Sequence, residues 1–236
     1  MASAFRGWRV LSLAFAGFFL YACATPVRVA ETCDTDRIEA QDRADVTVPG
    51  LSNSCRFYRQ MWRGARPDAQ AASELLARGV RVVINLQEGH DDLETFAQAR
   101  PPGEAVVQYY KVPHHQWDVL APATMDERVA RVLAIIKGNP DRPLYLHCAE
   151  GQDRTGTMVA AFELLQLQLP AEDAIRRMEA YRGVWKGADA AYIGQLASRR
   201  EQILRRADEI ATTLAPDAEV RCDAQTCRIH SKTEKK

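Results

Sequence analysis

The sequence predicts one α/β domain, with a central, mostly parallel sheet flanked by helices. Three observations predict it. Residues 80–86, 105–112 and 143–147 are short apolar runs, rich in β-branched or aromatic residues and bounded by turn formers, as buried strands are. Segments with helical spacing of apolar residues stand between and after these runs. Such alternation favours parallel pairing, because each crossover helix then covers a face of the sheet.

The elements follow in chain order. Residues 24–50 show no periodic apolar face and read as a tether. Residues 68–78, with Ala72, Leu75 and Leu76 on one face, form a short amphipathic helix that Gly79 ends. The first strand is 80–86. A helix over 91–99 is stopped by Pro101 and Pro102, and the second strand is 105–112. A loop spans 114–123. Thr124 and Glu127 then have the spacing of a capping box ahead of the apolar face Val129, Val132, Leu133 and Ile136, which runs to Gly138-Asn139-Pro140. The third strand, 143–147, leads through a short loop into a strongly apolar helix over 155–167, broken at Pro170. Helices over about 171–182 and 189–211 complete the set, and residues 231–236 are polar and frayed. The expected boundaries are a leader at 1–22, a tether at 23–54, the domain at 55–211 and a C-terminal tail at 212–236 that holds Cys222 and Cys227.

Length and composition agree with this organisation. The chain has 236 residues, 47% apolar and 26% charged, which is a globular composition and excludes a disordered chain. Lys plus Arg and Asp plus Glu both count 31, so the excess of cations that general nucleic-acid binding needs is missing. No internal repeat is visible.

The N-terminus reads as an address. Arg6 and Arg9 precede an uncharged run over 10–21, which is too short to span a bilayer as a helix and has the layout of a secretory signal. Its end, Leu20-Tyr21-Ala22-Cys23, resembles a bacterial lipoprotein signal. That resemblance implies a lipid-modified Cys23 and an exported protein anchored to the membrane at the periplasmic face of the envelope. Ala24 in place of Asp favours the outer membrane by the same resemblance. Ordinary cleavage near Ala24 and an uncleaved anchor are the other readings. Loss of Arg6 and Arg9 leaves a mature net charge of −2, so neither sign dominates the surface.

Six cysteines are present. With Cys23 assigned to lipid and Cys148 to the loop described next, Cys33, Cys55, Cys222 and Cys227 remain. An even set bound for an oxidising compartment suits two disulfides, with three pairings open.

The chemistry is concentrated in Leu144-Tyr145-Leu146-His147-Cys148-Ala149-Glu150-Gly151-Gln152-Asp153-Arg154-Thr155-Gly156, where a strand meets a helix through a tight loop. Backbone N–H groups of such a loop can cradle an anion, and the helix N-terminus adds positive potential. The same field favours the thiolate of a cysteine at the base of the cradle. A guanidinium at Arg154 can grip two phosphoryl oxygens at once. The loop therefore reads as a phosphate cradle, lined by Ala149, Glu150, Gly151, Gln152, Asp153 and Arg154, with a nucleophile at its floor.

The spacing of His147-Cys148-x5-Arg154-Thr155-Gly156 resembles the signature of the cysteine-dependent phosphatase superfamily, which includes protein tyrosine and dual-specificity phosphatases. Arg63-Gly64-Ala65-Arg66-Pro67 and the strand Ile84-Asn85-Leu86 are similar to compact bacterial and dual-specificity-like members, so the resemblance covers about 56–185. It implies the fold of that superfamily and hydrolysis of a phosphomonoester through a phosphocysteine. It implies Cys148 as nucleophile, Arg154 on the phosphoryl group, Thr155 donating to the thiolate on phosphate release, and His147 fixing the loop and favouring the thiolate; a packed core residue is the other reading of His147. A general acid is also required. The resemblance places it on a mobile loop before the cysteine, where Asp118 is the first choice; Asp153, within the thiol loop, is the alternative acid, and Asp126 competes from the capping box. No metal or other cofactor is expected, since no metal motif is present and the mechanism needs none. His114 and His115 read as rim or surface residues, and Tyr110 and Trp117 either line the mouth or pack in the core.

Relatives that take highly phosphorylated inositides place Lys in this loop, whereas Glu150 and Asp153 make it acidic here. Electrostatics then favours a monophosphate ester, with a phosphotyrosine protein first and a monophosphorylated lipid or small molecule as the alternative. A phosphate-reading module without turnover, a sulfurtransferase and an arsenate reductase are the competing classes.

Overall fold

A computed structural model describes residues 47–99, 103–181, 186–223 and 225–231. The leader, Cys23, Cys33 and most of the tether lie outside the described residues.

Seven strands form one sheet: β1 (Cys55–Tyr58), β2 (Met61–Gly64), β3 (Val82–Asn85), β4 (Ala105–Lys111), β5 (Leu144–His147), β6 (Ala218–Cys222) and β7 (Cys227–Ser231). Their spatial order is β1-β2-β5-β3-β4-β6-β7. The central pairs β2/β5, β5/β3 and β3/β4 are parallel, and the outer pairs β1/β2, β4/β6 and β6/β7 are antiparallel. The fold is therefore the expected α/β class, with a parallel centre and antiparallel flanks.

Side-chain alternation divides the core in two. Met61, Val82, Ile84, Leu144 and Leu146 point to one face and meet α3 (Pro122–Gly138), α4 (Asp153–Leu165), α5 (Ala171–Ala180), α6 (Lys186–Leu196) and α7 (Arg200–Thr213). Trp62, Val83, Tyr109 and Tyr145 point to the other, against α1 (Ala69–Ala77) and α2 (Leu93–Gln98). The described helices hold no segment long and apolar enough to cross a membrane.

Four sequence expectations are corrected. The tether was placed up to residue 54, but Val48 and Leu51 are buried in the second core and the Ser54 hydroxyl accepts from Val48 N–H at 2.9 Å. Two apolar anchors separated by a turn have no period to reveal them. The described part of the expected tail at 212–236 is not separate: β6 and β7 extend the sheet beyond β4. The expected helix over 189–211 is two helices joined by the 3-10 turn Ala197–Arg199. Thr124 and Glu127 do not cap α3, because Pro122 already starts it; proline suits that position through its fixed φ and missing N–H. Glu127 instead forms a two-point ion pair with Arg206 of α7, 2.8 Å at each contact.

The C-terminal ends of the parallel strands lie level. Gly64 and Asn85 both stand opposite His147, and Asn85 stands opposite Lys111. Loops leaving this edge of an open α/β sheet are where such folds bind ligands.

Candidate active site

β5 delivers Cys148 to this edge as a free, buried thiol. The loop that follows is held from outside through its carbonyls. His147 C=O accepts from Leu86 N–H (2.9 Å) and Ala149 C=O from Arg66 N–H (3.0 Å). Glu150 C=O accepts from the Asn53 amide (2.7 Å) and Gly151 C=O from the Arg63 guanidinium (2.6 Å). A trans peptide turns its N–H opposite to its C=O. The N–H groups of Glu150, Gly151 and Gln152 are thus turned to the inner side, where they donate to no acceptor among the described residues. The first turn of α4 adds its own N–H groups, which makes the loop an anion cradle in geometry as well as in sequence.

Gly151 makes this path possible. Its φ is +69°, and a Cβ there would come within 2.4 Å of the Gly64 carbonyl carbon. The loop is seated directly on the end of β2.

Arg63 is the support that sequence reasoning missed. It is fully buried, its guanidinium lies 3.5 Å over the Tyr181 ring, and its grip on Gly151 reaches back 88 residues. Burial draws its pKa below the ordinary arginine value, while Tyr181, Cys148 and Glu163 oppose that pull. Arg63-Gly64 had drawn attention only as part of the resemblance; no local pattern shows that an arginine inside a strand props a loop so distant in sequence.

Arg154 lies in the first turn of α4, and its guanidinium donates to Leu86 C=O at 3.4 Å. The same carbonyl accepts from His114 N–H, so the loop that carries Asp118 is fastened beside Arg154. Thr155 is fully buried, and its hydroxyl has no partner among the described residues.

His147 is fully buried, with Nε2 3.1 Å from Asp92 Oδ2 and Nδ1 3.3 Å from Cys148 C=O. Asp92 also accepts from the Asn85 amide (3.0 Å) and the Tyr109 hydroxyl (3.1 Å). Burial pushes the Asp92 carboxyl up, but the hydrogen bonds and charge of its partners, His147 foremost, hold it below the ordinary carboxylate range. Burial and the Asp92 charge raise the Tyr109 phenol.

The acid candidates separate by surroundings. Asp118 sits half-buried in the 3-10 turn Gln116–Leu120, where its carboxylate accepts from His115 N–H at 3.2 Å. Asp153 is the first residue of α4. Asp126 is committed elsewhere, to the Arg199 guanidinium at 2.7 Å and the Tyr192 hydroxyl at 2.8 Å. A fourth carboxyl, Asp189 of α6, was not singled out from the sequence. It is only 3% exposed, and burial together with Asp153 pushes its pKa up to about 7. Sequence alone shows it as one acid among the Ala-rich residues of α6.

One rim assignment is corrected. His114 is buried, and burial together with Arg154 drives its pKa down to about 4 against the bond to Val112 C=O. Tyr110 takes the core reading: strand alternation turns it into the first core, opposite to Tyr109. Trp117 is half-exposed and stacks on His115, ring centres 6.4 Å apart. Among the described residues no cluster of His, Cys, Asp and Glu is placed to hold a metal ion.

Of the cysteines, Cys222 and Cys227 form a disulfide across the β6–β7 pair. Cys55 is also disulfide-bonded; the two that remain, Cys23 and Cys33, lie outside the described residues.

Known phosphatases resemble this chain. The chain is similar to dual specificity protein phosphatase TpbA of Pseudomonas aeruginosa, 26% identical over 175 residues that cover 72% of this chain and 71% of that protein. It is similar to the probable chloroplastic NAD kinase 2 of Oryza sativa subsp. japonica, 28% identical over 119 residues; these are 50% of this chain but only 12% of that much longer protein. The crystal structure of TpbA matches with a TM-score of 0.54 at 21% identity, covering 66% of this chain and 92% of that one. A second TpbA structure, in complex with pTyr, matches with a TM-score of 0.52 at 20% identity, over 66% and 96%. At such identity these structures speak for the fold. The family model for the DSP-PTPase phosphatase fused to NAD+ kinase matches residues 46–191, more than half of the chain and the whole thiol loop. The chain therefore belongs to that family of DSP-PTPase phosphatases, within the cysteine-dependent phosphatase superfamily.

Proposed function

We propose that the chain hydrolyses phosphomonoesters through a phosphocysteine intermediate, with phosphotyrosine as the leading substrate. The observation that carries this reading is the loop held through four carbonyls from outside around a free, buried cysteine. Such an arrangement suits phosphoryl oxygens bound by the inward N–H groups and attack on phosphorus by the sulfur at the start of the loop.

In the first step the Cys148 thiolate forms the S–P bond, the ester P–O bond breaks, and Asp118 gives its proton to the leaving oxygen. In the second, the Asp118 carboxylate takes a proton from water, the new O–P bond forms, and the S–P pair returns to sulfur. Arg154 holds the equatorial oxygens throughout. The partnerless Thr155 hydroxyl is the donor available to the returning thiolate, and His147 fixes the floor of the loop. Glu150 and Asp153 repel additional phosphates, which supports a monoester. The pTyr bound by TpbA supports an aryl ester. On the N-terminal residues, we propose export and a lipid anchor at Cys23, which would hold the domain at the periplasmic face of the outer membrane.

Purified mature protein should hydrolyse an aryl monophosphate, and Cys148→Ser should abolish turnover; undiminished hydrolysis by that variant would overturn the mechanism. For the anchor, Cys23→Ala should move the protein from the membrane to the soluble envelope fraction, and an unchanged membrane fraction refutes it.

A further inference from the structure

We propose that Arg63 is a positioning residue for the phosphoryl group: a second guanidinium, buried behind the thiol loop, whose charge reaches a bound phosphate through the Gly151–Gln152 peptide. The inference rests on the thiol loop being the phosphate site of the proposed function.

The peptide that Arg63 grips is the link. Its Nη2 donates to the Gly151 carbonyl at 2.6 Å. That carbonyl shares a peptide group with the Gln152 N–H, which faces the other way, into the cradle. A cation at the oxygen polarises the peptide and strengthens the N–H as a donor, as hydrogen bonds in series do. The strand order places this cation opposite the other one. β5, which leads into Cys148, lies between β2 and β3. Arg63 stands on β2, whereas Arg154 donates to Leu86 C=O, just beyond the end of β3, at 3.4 Å. Two guanidiniums therefore flank the strand that delivers the sulfur.

The surroundings leave that charge largely uncancelled. Arg63 is fully buried, and its Nε has no hydrogen-bond partner among the described residues. The Tyr181 ring that lies 3.5 Å from the guanidinium offers an aromatic face and no formal charge. Burial lowers the Arg63 pKa, but a guanidinium starts so high that it keeps its proton at neutral pH. The groups that act on it electrostatically are Tyr181, Cys148, Glu163 and Tyr145, and Glu163 is the one carboxylate among them. Glu163 is itself buried and lies 3.3 Å from the Arg177 guanidinium, so two cations share one anion. A phosphoryl dianion in the cradle supplies the countercharge. The attraction runs through a dry interior, where charge acts over a longer range than in water.

Calorimetric titration of the full chain with inorganic phosphate tests this by binding rather than turnover. Arg63→Met should weaken phosphate binding about tenfold or more. Arg63→Lys, which keeps the charge, should recover most of the affinity. Arg63→Gln, which keeps an N–H for the Gly151 carbonyl without the charge, should not. Glu163→Gln removes the carboxylate that faces Arg63 and should tighten phosphate several-fold, a gain that a purely structural brace does not give. An unmoved affinity in folded Arg63→Met, equal recovery by Arg63→Gln and Arg63→Lys, or no gain in folded Glu163→Gln overturns the proposal. The native protein supplies a test that needs no variant to fold. The Arg63 guanidinium nitrogen signals should shift as phosphate binds, with the same midpoint as the Gln152 amide, and signals that stay in place overturn it. Native protein that binds no phosphate overturns the phosphate-site reading and this inference together; native binding with any of the contrary results overturns this inference alone.

Discussion

Two carboxylates compete to protonate the leaving group, and substitution at each separates them. Asp118→Asn should slow a poor leaving group such as an alkyl phosphate by about 100-fold and a nitrophenyl phosphate only a few-fold, because an acid matters most when the departing oxygen is basic. Equal loss on both esters would pass the role to Asp153, for which Asp153→Asn should then show the leaving-group dependence. Cys148 and Arg154 were legible because the chemistry demands them six residues apart in one turn. Arg63, Asn53 and Asp92 were not legible in their roles. They meet the loop or its histidine from 88, 97 and 55 residues away in sequence, and such contacts leave no periodic trace.

At the level of elements, packing decided what local pattern could not. The buried parallel strands β3, β4 and β5 announced themselves as apolar runs, since both faces of each are covered. The flanking strands β1, β2, β6 and β7 did not, because four or five residues with arginine or glutamate among them look like loop. Asp126 shows the same limit: it read as a helix-start acid, yet it ties α3 to Arg199 at the start of α7 and to Tyr192 of α6. Asp126→Ala should therefore cost about 1–3 kcal/mol in urea unfolding while leaving the leaving-group dependence unchanged. Reduction of Cys222–Cys227 should cost about 2 kcal/mol, the closure entropy of so small a loop. Since β6 and β7 lie on the far side of β4 from β5, hydrolysis at low temperature should survive it.

For the molecule as a whole, two buried groups set opposing pH trends in stability. His114 titrates near 6.5 when unfolded and near 4 when folded, so its contribution is complete above about pH 6.5 and is lost as pH falls through 4. Asp189 runs the other way: its folded pKa of about 7 lies above the unfolded 3.8, so its contribution is complete below 3.8 and is lost as pH rises through 7. Asp189→Asn should remove the alkaline loss and raise stability at pH 8 by about 1–4 kcal/mol. His114→Asn should flatten the acid limb. Urea midpoints measured from pH 4 to 8 check both, and an Asp189→Asn curve parallel to the native one would contradict the second assignment. The single-domain α/β plan was legible from alternation. Where the domain begins and ends was not, because Val48, Leu51 and the β6–β7 hairpin join the core only through distant partners.

The thiol loop is gripped through its main chain at four carbonyls, and at one point, Gly151, it rests on β2 with no room for even a methyl group. Ala149, Glu150 and Gln152 take no part in that grip with their side chains. Mutational drift should accordingly be forbidden at position 151 and tolerated at its three neighbours. The lineage can then exchange the chemical character of what it admits, residue by residue, without ever rebuilding the apparatus that does the cutting.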